Sequence, residues 1–194
     1  MNILNRFLDA DFKRDMSNIT RTCAIAVMLG YLRIASGEPV AFEQYAVLAA
    51  LTLNFARFTQ WPDQAFTDSD NQLKVCLVGD NVLLQSFDSI NGKAVGNKAI
   101  KTLNSEKLRN LNQCHILFIS EISNSLLSQV FLDIQNRRIL TIGESLDFVN
   151  AGGMVAMLNV DGKIQLYVNN HAVKAAGLAI SSNLLRLAKI VGEN

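Results

Sequence analysis

Histidine, proline and tryptophan are nearly missing from this chain. Among its 194 residues there are two histidines, two prolines, one tryptophan and three cysteines. His115 and His171 stand far apart, and Cys23, Cys76 and Cys114 form no C-x-x-C pair. The usual ligand spacings for zinc are therefore absent, and no metal or other cofactor is expected. An excess of charge is missing too: the net charge of +1 implies no basic face. The sparse aromatic residues do not alternate with basic ones, as a base-stacking platform requires, so nucleic acid is not expected as the main partner. Neither G-x-G-x-x-G nor G-x-x-x-x-G-K-[ST] occurs, which removes both common phosphate-cradling loops. There is no G-x-S-x-G, and no histidine stands where it could serve a nucleophile. No catalytic constellation is visible, and the sequence points away from an enzyme.

What the chain does have is apolar length. Hydrophobic residues make up 49% of it, enough for one good core and too few residues for two full domains. From Tyr45 to Phe58 almost every residue is apolar, and Pro62 ends the run, because proline disfavours helix in the residue before it. Val47, Leu48, Leu51, Phe55 and Phe58 form one stripe at helical spacing. Ala50, Asn54, Arg57 and Trp61 form a second. A helix apolar on both sides has to bury both, one against its own domain and one against a partner or pocket. We expect a homodimer burying part of the Glu43–Gln60 helix, with Leu48, Leu51, Phe55 and Phe58 at a two-fold interface. Arg57 lies within the second stripe, where it either snorkels to water or holds a carboxylate or a partner.

Residues 1–37 do not read as part of the domain. Arg21, the apolar segment Cys23–Leu32 and the small residues Ala35-Ser36-Gly37 have the layout of a signal peptide, and Met16 offers a tidier start than Met1. The segment is too short to span a bilayer. The competing reading makes it a hydrophobic helix of the folded domain, with Cys23 in the core. Export would leave a nearly neutral mature protein in the periplasm.

Beyond Pro62 the pattern alternates. Leu73–Gly79, Lys98–Leu103, His115–Ser120 and Arg138–Ile142 read as strands, the apolar ones buried on both faces. Val82–Ile90, Ser123–Ile134 and, more weakly, Ser105–Leu111 show helical spacing. Met154–Val160 and Lys163–Asn169 flank Asp161-Gly162, a strong hairpin turn. Ser182-Asn183 can cap a last amphipathic helix over Leu184–Val191, with Leu184, Leu185, Leu187, Ala188 and Val191 inward. The fold class is α/β: a single small domain with a largely parallel sheet flanked by helices and an antiparallel hairpin near the C-terminus.

Ligands of such sheets sit at the carboxyl ends of the strands, where Gly79-Asp80, Ser120-Glu121 and Gly143-Glu144 fall. Asp80 and Glu121 could form an acidic pocket like that of a receiver domain, or simply begin the following helices. His115 opens an apolar strand and reads as structural. His171, after Asn169-Asn170 and beside a helix start, reads as exposed and available to a ligand or partner.

Taken in order, LNFARFTQWP, the strand ending in Gly79-Asp80, CHILFIS, ILTIGES with Asp147-Phe148, Gly152-Gly153-Met154 and GLAISSNLLRLAKIV resemble the YfiR-like family of periplasmic proteins over residues 43–192. The resemblance implies a homodimeric, non-catalytic repressor. Such a protein would bind the periplasmic sensor domain of an inner-membrane diguanylate cyclase and hold it inactive, lowering cyclic di-GMP and biofilm formation. It also implies a disulfide between Cys76 and Cys114. A second family pair is absent here, where Ser145 and Gly152 stand. Arg57 and its neighbours Asn54 and Trp61, together with Tyr167, Asn169 and His171, fall where the family's ligand or partner surfaces lie. The alternative is a small-molecule-binding or receiver-like module built on Asp80 and Glu121.

Overall fold

Strands that are apolar on both faces need cover on both, and that requirement organises the molecule. The computed structural model describes residues 39–66, 71–78, 81–105, 108–120 and 122–192. The expected leader with Met16 and Cys23 lies outside the described residues, as do Gly79, Asp80 and Glu121.

Helix α1 spans Pro39–Phe58. It starts four residues before Glu43, with proline in the first turn, where its missing N–H costs nothing. The chain then becomes extended as β1 (Thr59–Gln60). After it come β2 (Gln72–Val78), α2 (Asn81–Phe87), β3 (Ala94–Val95), β4 (Lys98–Asn104) and β5 (Ile116–Ile119). The second half holds α3 (Asn124–Asp133), β6 (Leu140–Gly143), α4 (Leu146–Asn150), β7 (Val155–Val160) and β8 (Lys163–Asn169). Helix α5 (Asn170–Ala175), β9 (Ala179–Ile180), α6 (Ser182–Leu185) and β10 (Ala188–Val191) complete it.

The main sheet has eight strands in the order β10-β8-β7-β6-β5-β2-β4-β3. Strands β4, β2, β5, β6 and β7 are parallel neighbours, the doubly wound order of flavodoxin-type domains. Strand β8 returns antiparallel along β7, Val155 opposite Val168. Asp161 (φ 51°) and Gly162 (φ 76°) make the connection, the left-handed pair that a tight hairpin requires. Strand β1 pairs antiparallel with β9, Thr59 opposite Ile180, which ties the end of α1 to the segment after α5.

One face of the sheet is covered by α1, α2 and α5: Leu48, Phe55, Leu83, Phe87 and Val173 pack over Val75, Phe118, Ile142 and Val168. The other is covered by α3 and α4, through Leu127, Val130, Phe148 and Val149 over Val78, Leu117 and Ile119. Phe148 is held close against the sheet by two glycines. A Cβ at Gly143 would lie 2.5 Å from its ring, and one at Gly153 would lie 2.7 Å from its carbonyl oxygen.

Two expectations fail, each for a non-local reason. The last helix is a single turn at Ser182–Leu185, and Ala188–Val191 is a strand parallel to β8, Ala188 opposite Leu166. The open edge of β8 offers backbone partners that a helix would leave unused. Leu184 points inward, but Leu187 is 73% exposed. The β4–β5 crossover likewise has no helix among its described residues. Leu108 and Asn110 take positive φ of 49° and 57°, and a 3₁₀ turn at Leu111–Gln113 follows. Leu108 and Leu111 still face inward, onto the α3 side of the sheet.

That crossover is fastened by a disulfide. Cys76 in β2 is joined to Cys114 ahead of β5, with Cα atoms 5.7 Å apart and a sequence separation of 38. Both cysteines are buried. Closing a loop of this length stabilises a domain by about 4 kcal/mol in the chain-entropy model. Urea unfolding of oxidised and reduced protein should differ by about that amount. Thiol titration of the unfolded, unreduced mature protein should find no reactive thiol; two would contradict the bridge.

Candidate functional site

Helix α1 crosses the sheet antiparallel to the parallel strands. At its start Gln44 Oε1 accepts a bond from Asn159 Nδ2 near the end of β7 (3.2 Å), and the Tyr45 hydroxyl meets Ser120 Oγ just past β5 (3.3 Å). At its other end Arg57 Nε donates to the carbonyl of Ala94 in β3 (3.3 Å). The end of α1 thus lies at the amino-terminal edge of the sheet.

Burial separates the two sides of α1. Leu48, Ala49, Thr52, Leu53, Phe55 and Ala56 face the sheet, with Leu48 and Phe55 at 0% exposure. Thr52 is tolerated there because its hydroxyl donates to the carbonyl of Leu48 (2.8 Å). Val47, Ala50, Asn54, Arg57 and Phe58 are exposed, and Leu51 is half-buried. The stripe expected at a two-fold interface therefore divides. Leu48 and Phe55 are core of their own domain and have no surface to offer, while Leu51 and Phe58 remain on the outside. Val47, 48% exposed, joins Phe58, 43% exposed, on that outer side. The spacing Val47, Leu51, Asn54, Phe58 is that of one helix face.

Trp61 continues from α1, half-buried against the core. Its indole Nε1 and the hydroxyl of Thr59 are both buried without a hydrogen-bond partner among the described residues. Trp61 meets Phe66 edge-on at 6.4 Å, Phe66 stacks on His115 at 4.6 Å, and Lys98 Nζ sits 4.1 Å from the Phe66 ring centre. His115 accepts at Nδ1 from the Lys74 backbone N–H (3.0 Å), while the His115 backbone N–H donates to the Lys74 carbonyl (2.9 Å). Its role is to close the amino-terminal edge between β2 and β5.

The remaining candidates divide as well. Asn169 ends β8 and caps α5, its Oδ1 accepting from the Ala172 N–H (2.9 Å). His171 follows on α5 and is exposed. Both stand at the sheet edge that holds the end of α1, but no hydrogen bond or ion pair joins them to Arg57 among the described residues. Tyr167 alternates to the opposite face, where its hydroxyl donates to Gln165 Oε1 (3.1 Å) and Lys189 Nζ lies 3.1 Å from it. The structure brings Asn54, Arg57 and Trp61 together along α1, sets Asn169 and His171 at the same edge, and places Tyr167 elsewhere. Val47 belongs to the expected stripe but not to the expected interface, and the structure places it on the outer side of α1. Among the described residues no group of three His, Cys, Asp or Glu side chains is placed to hold a metal ion, and no helix is long and apolar enough to cross a membrane.

Five parallel strands in doubly wound order, closed by a hairpin and a returning edge strand, define a flavodoxin-type α/β domain whose distinctive surface is the outer side of its first helix. The chain matches the model of the YfiR/HmsC-like family over residues 45–189 and belongs to that family. Comparison with curated proteins finds no match.

Phe55→Ala should lower the unfolding free energy by about 4 kcal/mol, the cost of emptying a buried aromatic site. Phe58→Ala, three residues on, should change it by less than about 0.5 kcal/mol. Urea denaturation of both variants checks the assignment of inner and outer faces.

Proposed function

We propose that this protein is a non-catalytic periplasmic regulator that binds the sensor domain of an inner-membrane diguanylate cyclase and restrains it, lowering cyclic di-GMP and biofilm formation. Membership of the YfiR/HmsC-like family carries this reading. The Cys76–Cys114 bridge supports it, since such bonds persist in oxidising compartments. The regulator acts as a homodimer through the outer side of α1, where Val47, Leu51 and Phe58 expose apolar surface beside Asn54 and Arg57. Arg57 and His171 are the side chains we assign to the membrane partner: a guanidinium makes charge-assisted bonds to carboxylates, and an exposed imidazole at the same edge extends the contact.

Repression is a difference in affinity: the dimer has to hold the inactive sensor more tightly than the active one. Moving the equilibrium from almost fully active to almost fully inactive takes about 5 kcal/mol of such difference. A few well-placed side chains of the hot-spot kind supply that much.

A second reading rests on the strand order, which brings the ends of β2 and β5 together at the switch point, Val78 opposite Ile119. Asp80 and Glu121 follow those ends in sequence and would make an acidic pocket in a receiver-like module. Export separates the two readings: a processed N-terminus belongs with the regulator, an intact one with the module.

Deleting the gene should raise cyclic di-GMP and surface attachment. Arg57→Ala combined with His171→Ala should raise them partially while the protein stays folded. Phe58→Asp should convert dimer to monomer in light scattering without loss of helical signal, and Leu51→Asp, at a position packed against the core, should give monomer or unfolded chain. Unchanged cyclic di-GMP on deletion would refute the regulator; a wild-type monomer at tens of micromolar would refute the dimer.

A further inference from the structure

We propose that the groove between the end of α3 and helix α5 binds a small apolar carboxylic acid of single-ring size. The cavity measures about 330 Å³, at the lower end of the range of small-ligand sites. Phe131 of α3 and Ile134 just past its end, Met154 ahead of β7, and Ala172 and Ala175 of α5 with Ala176 just past its end form its walls. Alanines at i, i+3 and i+4 put three methyl groups on one side of α5, which leaves space that larger side chains would fill. Gly152 lines the same groove, and a Cβ there would meet nothing within 4 Å.

Two residues that carry donors line this space. Thr141, 1% exposed, lines the groove, and its Oγ1 accepts from the Met154 N–H at 3.0 Å. Its hydroxyl proton has no acceptor among the described residues, and a buried O–H of this kind wants one. Arg137 is the single charged residue among the described lining, and it forms no ion pair among the described residues. It follows Asn136, whose φ of 64° ends α3. With a guanidinium at the rim, a buried hydroxyl inside and no carboxylate in the described lining, the site favours an acceptor-bearing anion and disfavours a cation. A carboxylate matches the guanidinium fork in geometry as well as charge, and the alanine, phenylalanine and isoleucine walls match an apolar ring. No α1 residue lines the groove, and binding here is read directly from the groove's own amides, apart from any effect on cyclic di-GMP.

Phenylacetate is the probe, titrated into isotopically labelled full-length protein and followed by amide NMR, with phenethylamine as the cation of matching ring. Phenylacetate should shift the amides of Phe131, Gly152, Ala172 and Ala175 saturably, and phenethylamine should not. Arg137→Ala, at an exposed position, should weaken binding about tenfold, the loss of one charge-assisted bond. Ala175→Trp, also at an exposed position, should fill the groove and abolish the shifts. Absence of saturable shifts at those amides, equal binding of phenethylamine, or undiminished binding by either variant would overturn the proposal.

Discussion

Helix α1 decides how the rest of the molecule is arranged. Its inner side, centred on Leu48 and Phe55, is fully buried in the core over strands β2, β5, β6 and β8. Apolar burial on this scale is the main favourable term in folding. It also fixes the direction of the helix across the sheet, from the carboxyl end near Asn159 to the amino end near Ala94. The outer side follows from that choice. Once the inner register is set, Val47, Asn54, Arg57 and Phe58 have nowhere to go but outward. The exposed apolar surface is thus a consequence of the core packing, and it is available for recognition without disturbing the fold.

The second constraint is on the opposite face. A doubly wound sheet normally carries a helix on each crossover. Between β4 and β5 the described chain instead makes left-handed turns at Leu108 and Asn110 and a short 3₁₀ turn. Leu108 and Leu111 provide only part of the apolar cover a helix would give. The Cys76–Cys114 bridge lies in this same layer, joining the crossover to the central strand β2. Covalent closure takes over part of the work that burial does elsewhere, as in small domains whose core is limited. Removing it should therefore be felt first around β2 and β5.

Much of this architecture is legible in the sequence because it is local. Strands such as β5 (Ile116–Ile119) are buried at every position, so their apolar runs are unbroken. The Asp161-Gly162 turn announces its hairpin through two residues that accept positive φ. What was not legible depends on partners distant in sequence. Leu184–Val191 reads equally well as helix or strand over so few residues, and the open edge of β8 settles it. The inner side of α1 was misread because Leu48, Leu51, Phe55 and Phe58 lie within one broad arc of the helix. Only the packing shows that Leu48 and Phe55 turn in while Phe58 turns out. Asn169 stood out as a surface candidate, and its side chain is spent on capping α5. Tyr167 lies apart from Arg57 because its side chain packs in the layer on the other face of the sheet from α1.

The proposed function asks two things of one exposed helix side, pairing with a second copy and meeting a membrane partner at the same edge. Photo-crosslinking in living cells tests that directly. A photoreactive phenylalanine analogue placed singly at Val47, Asn54, Arg57 or Phe58 should capture a second copy of the chain or a membrane-anchored cyclase. The same analogue at the exposed Leu126, on the far side of the sheet, should capture neither. Crosslinks absent from all four α1 positions, or found equally at Leu126, would contradict the assignment of the outer side of α1 as the recognition surface.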